Sequence, residues 1–136
     1  MDNCLFCKIV EQTTPSYTVY EDEETKAFLD IFPSTPGHVV VILKKHGWAI
    51  SDYSPLELGT LMATVQKVIA ALTVVYKTEV FTIGMNHKEV NGVHHLHMHV
   101  LPRFSDDAGG VIQSVVEREG KDPLGEIQEK IKKQIR

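Results

Sequence analysis

The sequence lacks most features that mark secreted, membrane-bound or nucleic-acid-binding proteins. Only two cysteines occur in 136 residues, which leaves at most one disulfide bond. No uninterrupted apolar run approaches the ~20 residues of a membrane-spanning helix, and the N-terminus does not show the basic and then apolar order of a secretory signal. The formal net charge of −4 argues against broad nucleic-acid binding, because such surfaces are basic. We therefore expect a cytoplasmic protein without a membrane segment.

The length predicts a single domain over residues 1–136, with a core in 1–103 and a C-terminal loop and helix in 104–136. A long helix begins at Ser54-Pro55-Leu56-Glu57, where a serine cap and a glutamate three residues later form a capping box. A last helix begins at Asp122-Pro123, and its apolar stripe predicts packing on the domain: the stripe comprises Leu124, Ile127, Ile131 and Ile135. Five segments have strand patterns: 17–20, 27–30, 38–43, 80–85 and 93–101.

Histidine is concentrated in one short segment. Five of the seven histidines lie between His87 and His99, and three alternate with apolar residues from His95 to His99. In a strand, alternate residues share a face, so His95, His97 and His99 would line one face while the other enters a core. Three roles stay open for them: an ordinary half-buried strand, a metal site, or covalent catalysis in which a neutral imidazole attacks phosphorus.

The two cysteines, Cys4 and Cys7, lie in a short helix predicted from about Cys4 to Glu11, with Asp2 or Asn3 as its cap. At this spacing both sulfurs face the same way. A redox dithiol, a structural disulfide and half of a zinc site are the alternatives. The first usually follows a strand, and none precedes this pair.

The segment from His95 to Leu101, followed by Pro102-Arg103, resembles the His-φ-His-φ-His-φ-φ signature of the histidine triad (HIT) family. The resemblance extends upstream to Cys4–Val10. It is of the bacterial and archaeal type, whose members carry an N-terminal C-x-x-C. It implies a HIT-like α+β fold: an antiparallel sheet of about five strands, one long helix packed on it, and short terminal helices. It also implies a homodimer that hydrolyses or transfers a nucleotide at the α-phosphate of a purine nucleotide conjugate.

The resemblance also implies roles for the histidines and the cysteines. His97 would be the nucleophile, His99 would hold the non-bridging oxygens, and His95 would bind zinc or orient its neighbour. Cys4 and Cys7 would complete a closed, structural zinc site together with His46 and His95. His38 is interpreted as structural.

The nucleotide-binding residues follow from the same resemblance. Asp30 would bind the ribose hydroxyls, as a carboxylate can accept from both, and Asn86, Asn91 and the backbone of Gly92 would bind the phosphate. An apolar slot would hold the base, lined by Phe6, Ile9, Phe28 and Ile31.

One segment departs from the family pattern. Relatives often have Gly-Gln-(Ser or Thr)-Val before the triad, whereas this chain has Val90-Asn91-Gly92-Val93. Gly92 has no hydroxyl to help protonate an amine leaving group, which favours dinucleoside polyphosphates over phosphoramidates. Two rival functions are a purine-nucleotide-binding sensor or adaptor with little turnover, and a hydrolase whose zinc is held by all three triad histidines.

Overall fold

A five-stranded antiparallel sheet forms the centre of the computed structural model, which describes residues 3–136. The strands lie in the order β1-β2-β3-β5-β4, and this arrangement with its helices confirms the predicted α+β fold. Each strand falls within or next to a segment predicted from the sequence. Their bounds are β1 Thr18–Glu21, β2 Thr25–Leu29, β3 Val39–Leu43, β4 Phe81–Gly84 and β5 His97–Pro102.

The long helix α2, Pro55–Tyr76, begins at the predicted capping box. The Ser54 hydroxyl accepts a hydrogen bond from the Glu57 amide at 3.1 Å, and the Glu57 carboxylate accepts one from the Ser54 amide at 2.8 Å. By length and composition alone α2 could also cross a membrane. One face of the helix is instead buried in the domain core, as in many core helices; its apolar members are Leu61, Val65, Val68 and Leu72.

The sheet is covered on both faces, which explains why every residue of β3 is buried. α2 covers one face, and the short helix α1, Leu5–Val10, packs on the other through Phe6 and Ile9. In the register between β3 and β5, His97 lies opposite Ile42 and His99 opposite Val40. Because Val40 and Ile42 belong to the cluster under α1, both histidines face α1 rather than α2.

Two predicted element ends are wrong. The cap of α1 is Cys4 rather than Asn3, since the Cys4 sulfur accepts a hydrogen bond from the Cys7 amide; Asp2 lies outside the described residues. The triad strand begins at His97, not at residue 93. The chain bends just before it, because the Leu96 amide donates to the Gly47 carbonyl at 2.7 Å.

The predicted packing of the last helix is also wrong. α3, Leu124–Gln134, has no buried residue. In its stripe, Leu124, Ile131 and Ile135 are exposed by 84%, 53% and 73%. Both faces of the sheet are already covered by α1 and α2, so the stripe finds no partner among residues 3–136.

Truncation of one core residue of α2 tests this packing. Leu61 is 1% exposed and Met62, the next residue, is 45% exposed. We expect Leu61→Ala to lower the free energy of unfolding by about 2–5 kcal/mol, because it leaves a cavity under the sheet. Met62→Ala should lower it by no more than about 1 kcal/mol. Urea denaturation at one protein concentration measures both, and equal effects would contradict the placement of α2.

Candidate active site

His97, the middle histidine of the triad, is held by a hydrogen bond to the preceding chain. Its Nδ1–H donates to the carbonyl oxygen of His95 at 2.6 Å. Since a carbonyl can only accept, the proton lies on Nδ1 and the Nε2 lone pair is free to react. The ring is 7% exposed and meets the edge of Phe6 at a centroid distance of 5.1 Å. The arrangement fixes both the tautomer and the orientation that a nucleophilic imidazole needs.

A second chain of hydrogen bonds orients His99. The Ser34 amide donates to Nδ1 of His38 at 3.1 Å, so we assign the His38 proton to Nε2. That nitrogen lies 2.8 Å from Nδ1 of His99 and donates to it. The remaining His99 proton is then on Nε2, where it can serve as a donor. Burial lowers the pKa of both His38 and His99, so both rings are neutral at pH 7.

His38 is the residue whose role the sequence analysis missed. The sequence pattern predicts only a structural role for it, yet it links His99 to Asp30, whose Oδ2 lies 3.5 Å from His38 Nε2. A signal was present in the sequence. A histidine at the start of a buried, β-branched strand needs hydrogen-bond partners for its ring. The other Asp30 oxygen accepts from the Phe32 amide at 2.8 Å, so Asp30 also shapes the turn after β2.

A cavity of about 440 Å³ lies between α1, the sheet and the loop before β5. Most residues predicted to bind the nucleotide line it: Phe6, Ile9, Phe28, Asp30, Ile31, Asn86, Gly92, His97 and His99. Asn91 and His95 do not line it, and Asn91 is exposed to solvent. The wall also includes residues that sequence reasoning did not select, among them Leu5, Phe32, Glu89 and Val93.

The His95 side chain leaves the triad and turns toward the two cysteines. Its Nε2–H donates to the Leu43 carbonyl at 2.7 Å, which leaves the Nδ1 lone pair free. This Nδ1 lies 3.5 Å from the Cys4 sulfur and 3.6 Å from the Cys7 sulfur. Nδ1 of His46 lies 3.2 Å from the Cys7 sulfur. The trio of imidazoles predicted to face one cleft is therefore a pair, and the third ring belongs to a separate cluster.

The Cys₂His₂ cluster fits a tetrahedral cation. Bonds of about 2.3 Å to sulfur and 2.0–2.1 Å to nitrogen separate the two ligand atoms by about 3.5–3.6 Å in a tetrahedron. The sulfur–nitrogen distances of 3.2–3.6 Å match that separation. The four ligand atoms all lie within 4.8 Å of one another. His95 also donates a hydrogen bond to the Leu43 carbonyl. A hydrogen bond of this kind to the backbone commonly orients a metal-bound histidine.

Two members of the cluster, Cys7 and His95, are uncharged at pH 7. Burial, followed by the hydrogen bond with Cys4, raises the pKa of the Cys7 thiol to about 11. Burial lowers the pKa of His95 to about 4, so its imidazole is neutral at pH 7. A neutral histidine is ready to bind a metal, whereas the thiol must first lose its proton. The rival arrangement, zinc on all three triad histidines, is not supported, because the free ring nitrogen of His95 lies in the cysteine cluster, whereas Nδ1 of His99 is hydrogen-bonded to His38.

Known sequences and solved structures similar to this chain come from one family, the same one that its histidine motif resembles. The family model for the HIT domain matches residues 11–106. An adenosine 5'-monophosphoramidase of Candida albicans is 30% identical over 98% of this chain and 91% of its own. The crystal structure of SMU.412c from Streptococcus mutans has a TM-score of 0.85 at 36% identity, covering 100% of this chain and 87% of the other. A Zn-bound histidine triad protein from Mycobacterium smegmatis has a TM-score of 0.70 at 34% identity, covering 79% of each chain.

The hydrogen-bond chain to His99 can be tested by NMR titration. Because burial lowers their pKa, the His38 and His99 rings should each become half-protonated below the value of 6.5 for a free imidazole. The unfolded chain would take up these protons first, so the two rings contribute stability above pH 6.5 that is lost as the pH falls. Nitrogen-15 shifts should also place the neutral His99 proton on Nε2. A ring half-protonated above 6.5, or a proton on Nδ1 of His99, would contradict the assignment.

Proposed function

Since this chain belongs to the HIT family, we propose that it is a nucleotide hydrolase that attacks the α-phosphate of a purine nucleotide conjugate through His97. The observation that carries the proposal is the hydrogen bond from His97 Nδ1 to the His95 carbonyl. It leaves Nε2 unprotonated at the wall of the cavity, where a nucleophile for phosphorus is needed. The conjugate is a dinucleoside polyphosphate or a nucleoside phosphoramidate. Phosphoramidate hydrolysis is the activity in the name of the Candida relative.

The bound nucleotide would place its base in the apolar part of the cavity and its ribose beside Asp30. Phe6 and Phe28 meet edge to face at 5.2 Å and, with Ile9 and Ile31, offer a slot for a flat ring. Asp30 Oδ2 is within reach of a ribose hydroxyl at the same wall. The observed size of about 440 Å³ suits a nucleoside monophosphate unit.

Each residue then has a separate task in the reaction. His97 Nε2 forms a bond to phosphorus as the bond to the leaving group breaks. His99 Nε2–H and the backbone amide of Gly92 would donate to the non-bridging oxygens, where charge is greatest in the transition state. His38 acts through His99 and is a positioning residue. Water then cleaves the phosphorus–nitrogen bond, which releases the nucleotide and restores neutral His97.

Trapping the covalent intermediate tests the nucleophile. A conjugate labelled at the α-phosphate should transfer its label to the wild-type protein, seen on a denaturing gel at alkaline pH. His97→Ala should give no label and lower kcat by about a thousandfold or more.

The matched control is His94→Ala. The exposed His94 ring stacks on Trp48 at 4.3 Å and lies outside the cavity wall, so this variant should keep its label and its activity. Equal labelling of His97→Ala would exclude His97 as the nucleophile. Tight binding of AMP without labelling or hydrolysis by the wild type would favour the sensor or adaptor function.

We also propose that Cys4, Cys7, His46 and His95 hold a structural zinc ion. The donor set and its spacing support this, as does the zinc in the Mycobacterium smegmatis relative. When bound, zinc would supply only a fixed tetrahedral anchor, because all four positions are taken by the protein. The ion would tie α1 to the loop after β3 and to the chain just before β5.

Metal analysis and thermal unfolding test the zinc site together. Purified wild-type protein should contain stoichiometric zinc, and Cys7→Ser should lose it and unfold at a lower temperature, because metal binding stabilises the fold. His94→Ala, which removes a histidine outside the cluster, should retain the metal. A zinc-free wild type, or full zinc in Cys7→Ser, would rule out the site.

A homodimer is part of the same proposal. β4 lies at the edge of the sheet and pairs only with β5 among the described strands. On the outer face of α2, Val74 and Val75 are exposed by 78% and 67%. A second copy placed against β4 and α2 would cover both surfaces.

A further inference from the structure

Glu89 lies beside the nucleophile but has no task in the reaction described above. Its Oε1 is 3.9 Å from Nε2 of His97, and its side chain is 29% exposed. The side chain occupies the space over Gly92, where any added Cβ would overlap it. The Glu89 carboxylate therefore fills the space that a side chain at position 92 would occupy.

The charged side chains at the cavity wall are all acidic among the described residues. Asp30 and Glu89 both line it, and none of the described lining residues is lysine or arginine. Lys88, which precedes Glu89 in the chain, is directed elsewhere. Its ammonium lies 5.1 Å from the centre of the Trp48 ring. The pKa of Asp52 is lowered first by backbone hydrogen bonds and further by the charge of Lys88. A chain of further phosphates would thus meet a carboxylate and no cationic side chain.

The position of Glu89 relative to a bound substrate follows from its distance to His97. A phosphorus atom poised for attack lies ~3–3.5 Å from the nucleophilic nitrogen. The Glu89 oxygen is 3.9 Å from the same nitrogen, and both residues line the same cavity, so a phosphoryl group bound there would lie beside the carboxylate. With the base in the apolar slot and the ribose at Asp30, the turn carrying Glu89 is left to face the leaving group.

From this arrangement we propose that Glu89 is a specificity-determining residue that favours leaving groups departing as ammonium ions over those that carry further phosphates. The inference rests on the proposed function and deepens it. It reverses the expectation drawn from Gly92 alone, since the missing hydroxyl is replaced by a charge that stabilises a cation and repels an anion.

The step that Glu89 would influence is the departure of the leaving group. The bond between His97 Nε2 and phosphorus forms, and the bond between phosphorus and the amine nitrogen breaks. The electron pair stays on that nitrogen, which takes two protons from solvent and leaves as an ammonium ion facing the carboxylate. Water then cleaves the intermediate, giving the nucleoside monophosphate dianion, neutral His97 and two released protons.

Two substrates and the charge-removing variant Glu89→Gln test the inference on the full chain. The probes are an AMP–alkylamine phosphoramidate and a diadenosine polyphosphate, compared by kcat/KM at low ionic strength. The wild type should prefer the phosphoramidate. Glu89→Gln should lower that ratio by about tenfold or more, losing rate on the first substrate and gaining it on the second.

Two further variants make the result specific. Gly92→Ala displaces the carboxylate without restoring a hydroxyl, so it should move the ratio in the same direction. Glu117→Gln changes the net charge equally at an exposed site away from the cavity and should leave the ratio unchanged. An unchanged ratio in Glu89→Gln, or a wild type that prefers the polyphosphate, overturns this inference only. A wild type that cleaves neither substrate overturns the proposed function and this inference with it.

Discussion

The hydrogen bond from His97 Nδ1 to the His95 carbonyl is the constraint on which the site depends. A carbonyl on a mobile segment would not hold the ring, so the position of His95 must itself be fixed. Its amide donates to the Val93 carbonyl at 2.8 Å, and its Nε2–H donates to Leu43 in β3. The remaining ring nitrogen faces the two cysteines. The orientation of the proposed nucleophile is thus set by contacts to parts of the chain that are far apart in sequence.

The short helix α1 joins the cysteine cluster to the cavity. A helix of six residues is not stable alone in water, so its position must come from packing and from the cluster. Cys4 and Cys7 lie at its start, next to His95, while Phe6 between them contacts both Phe28 and His97. A cation in the cluster would therefore stabilise the wall that receives the base. This explains how a metal without an open ligand position could still matter for binding.

The sequence predicted the parts of the site that depend on local pattern. Strand alternation brought His97 and His99 to one face, and the C-x-x-C spacing brought two sulfurs together, since each depends only on helix or strand geometry. The exclusion of the His95 ring from the cavity was not predictable from strand alternation, because β5 begins only at His97 and the preceding Leu96 is hydrogen-bonded to Gly47, which is distant in sequence. The same holds for His38, whose role appears only when β3 pairs with β5. The exposed stripe of α3 shows that an amphipathic pattern predicts a helix but not what covers it.

The charge distribution explains how the proposed site would bind a phosphate without cationic side chains among the described residues of the cavity wall. Burial keeps His38 and His99 neutral at pH 7, so they act through a directed N–H rather than through a charge. The chain of donors starts at a backbone amide, that of Ser34, which cannot titrate in this range. In the proposed reaction a neutral donor would hold a phosphoryl oxygen without binding every phosphate equally, and the carboxylates at the wall would disfavour additional ones. Recognition would then come from the geometry of one phosphoryl group, which matches a chain whose net charge is −4.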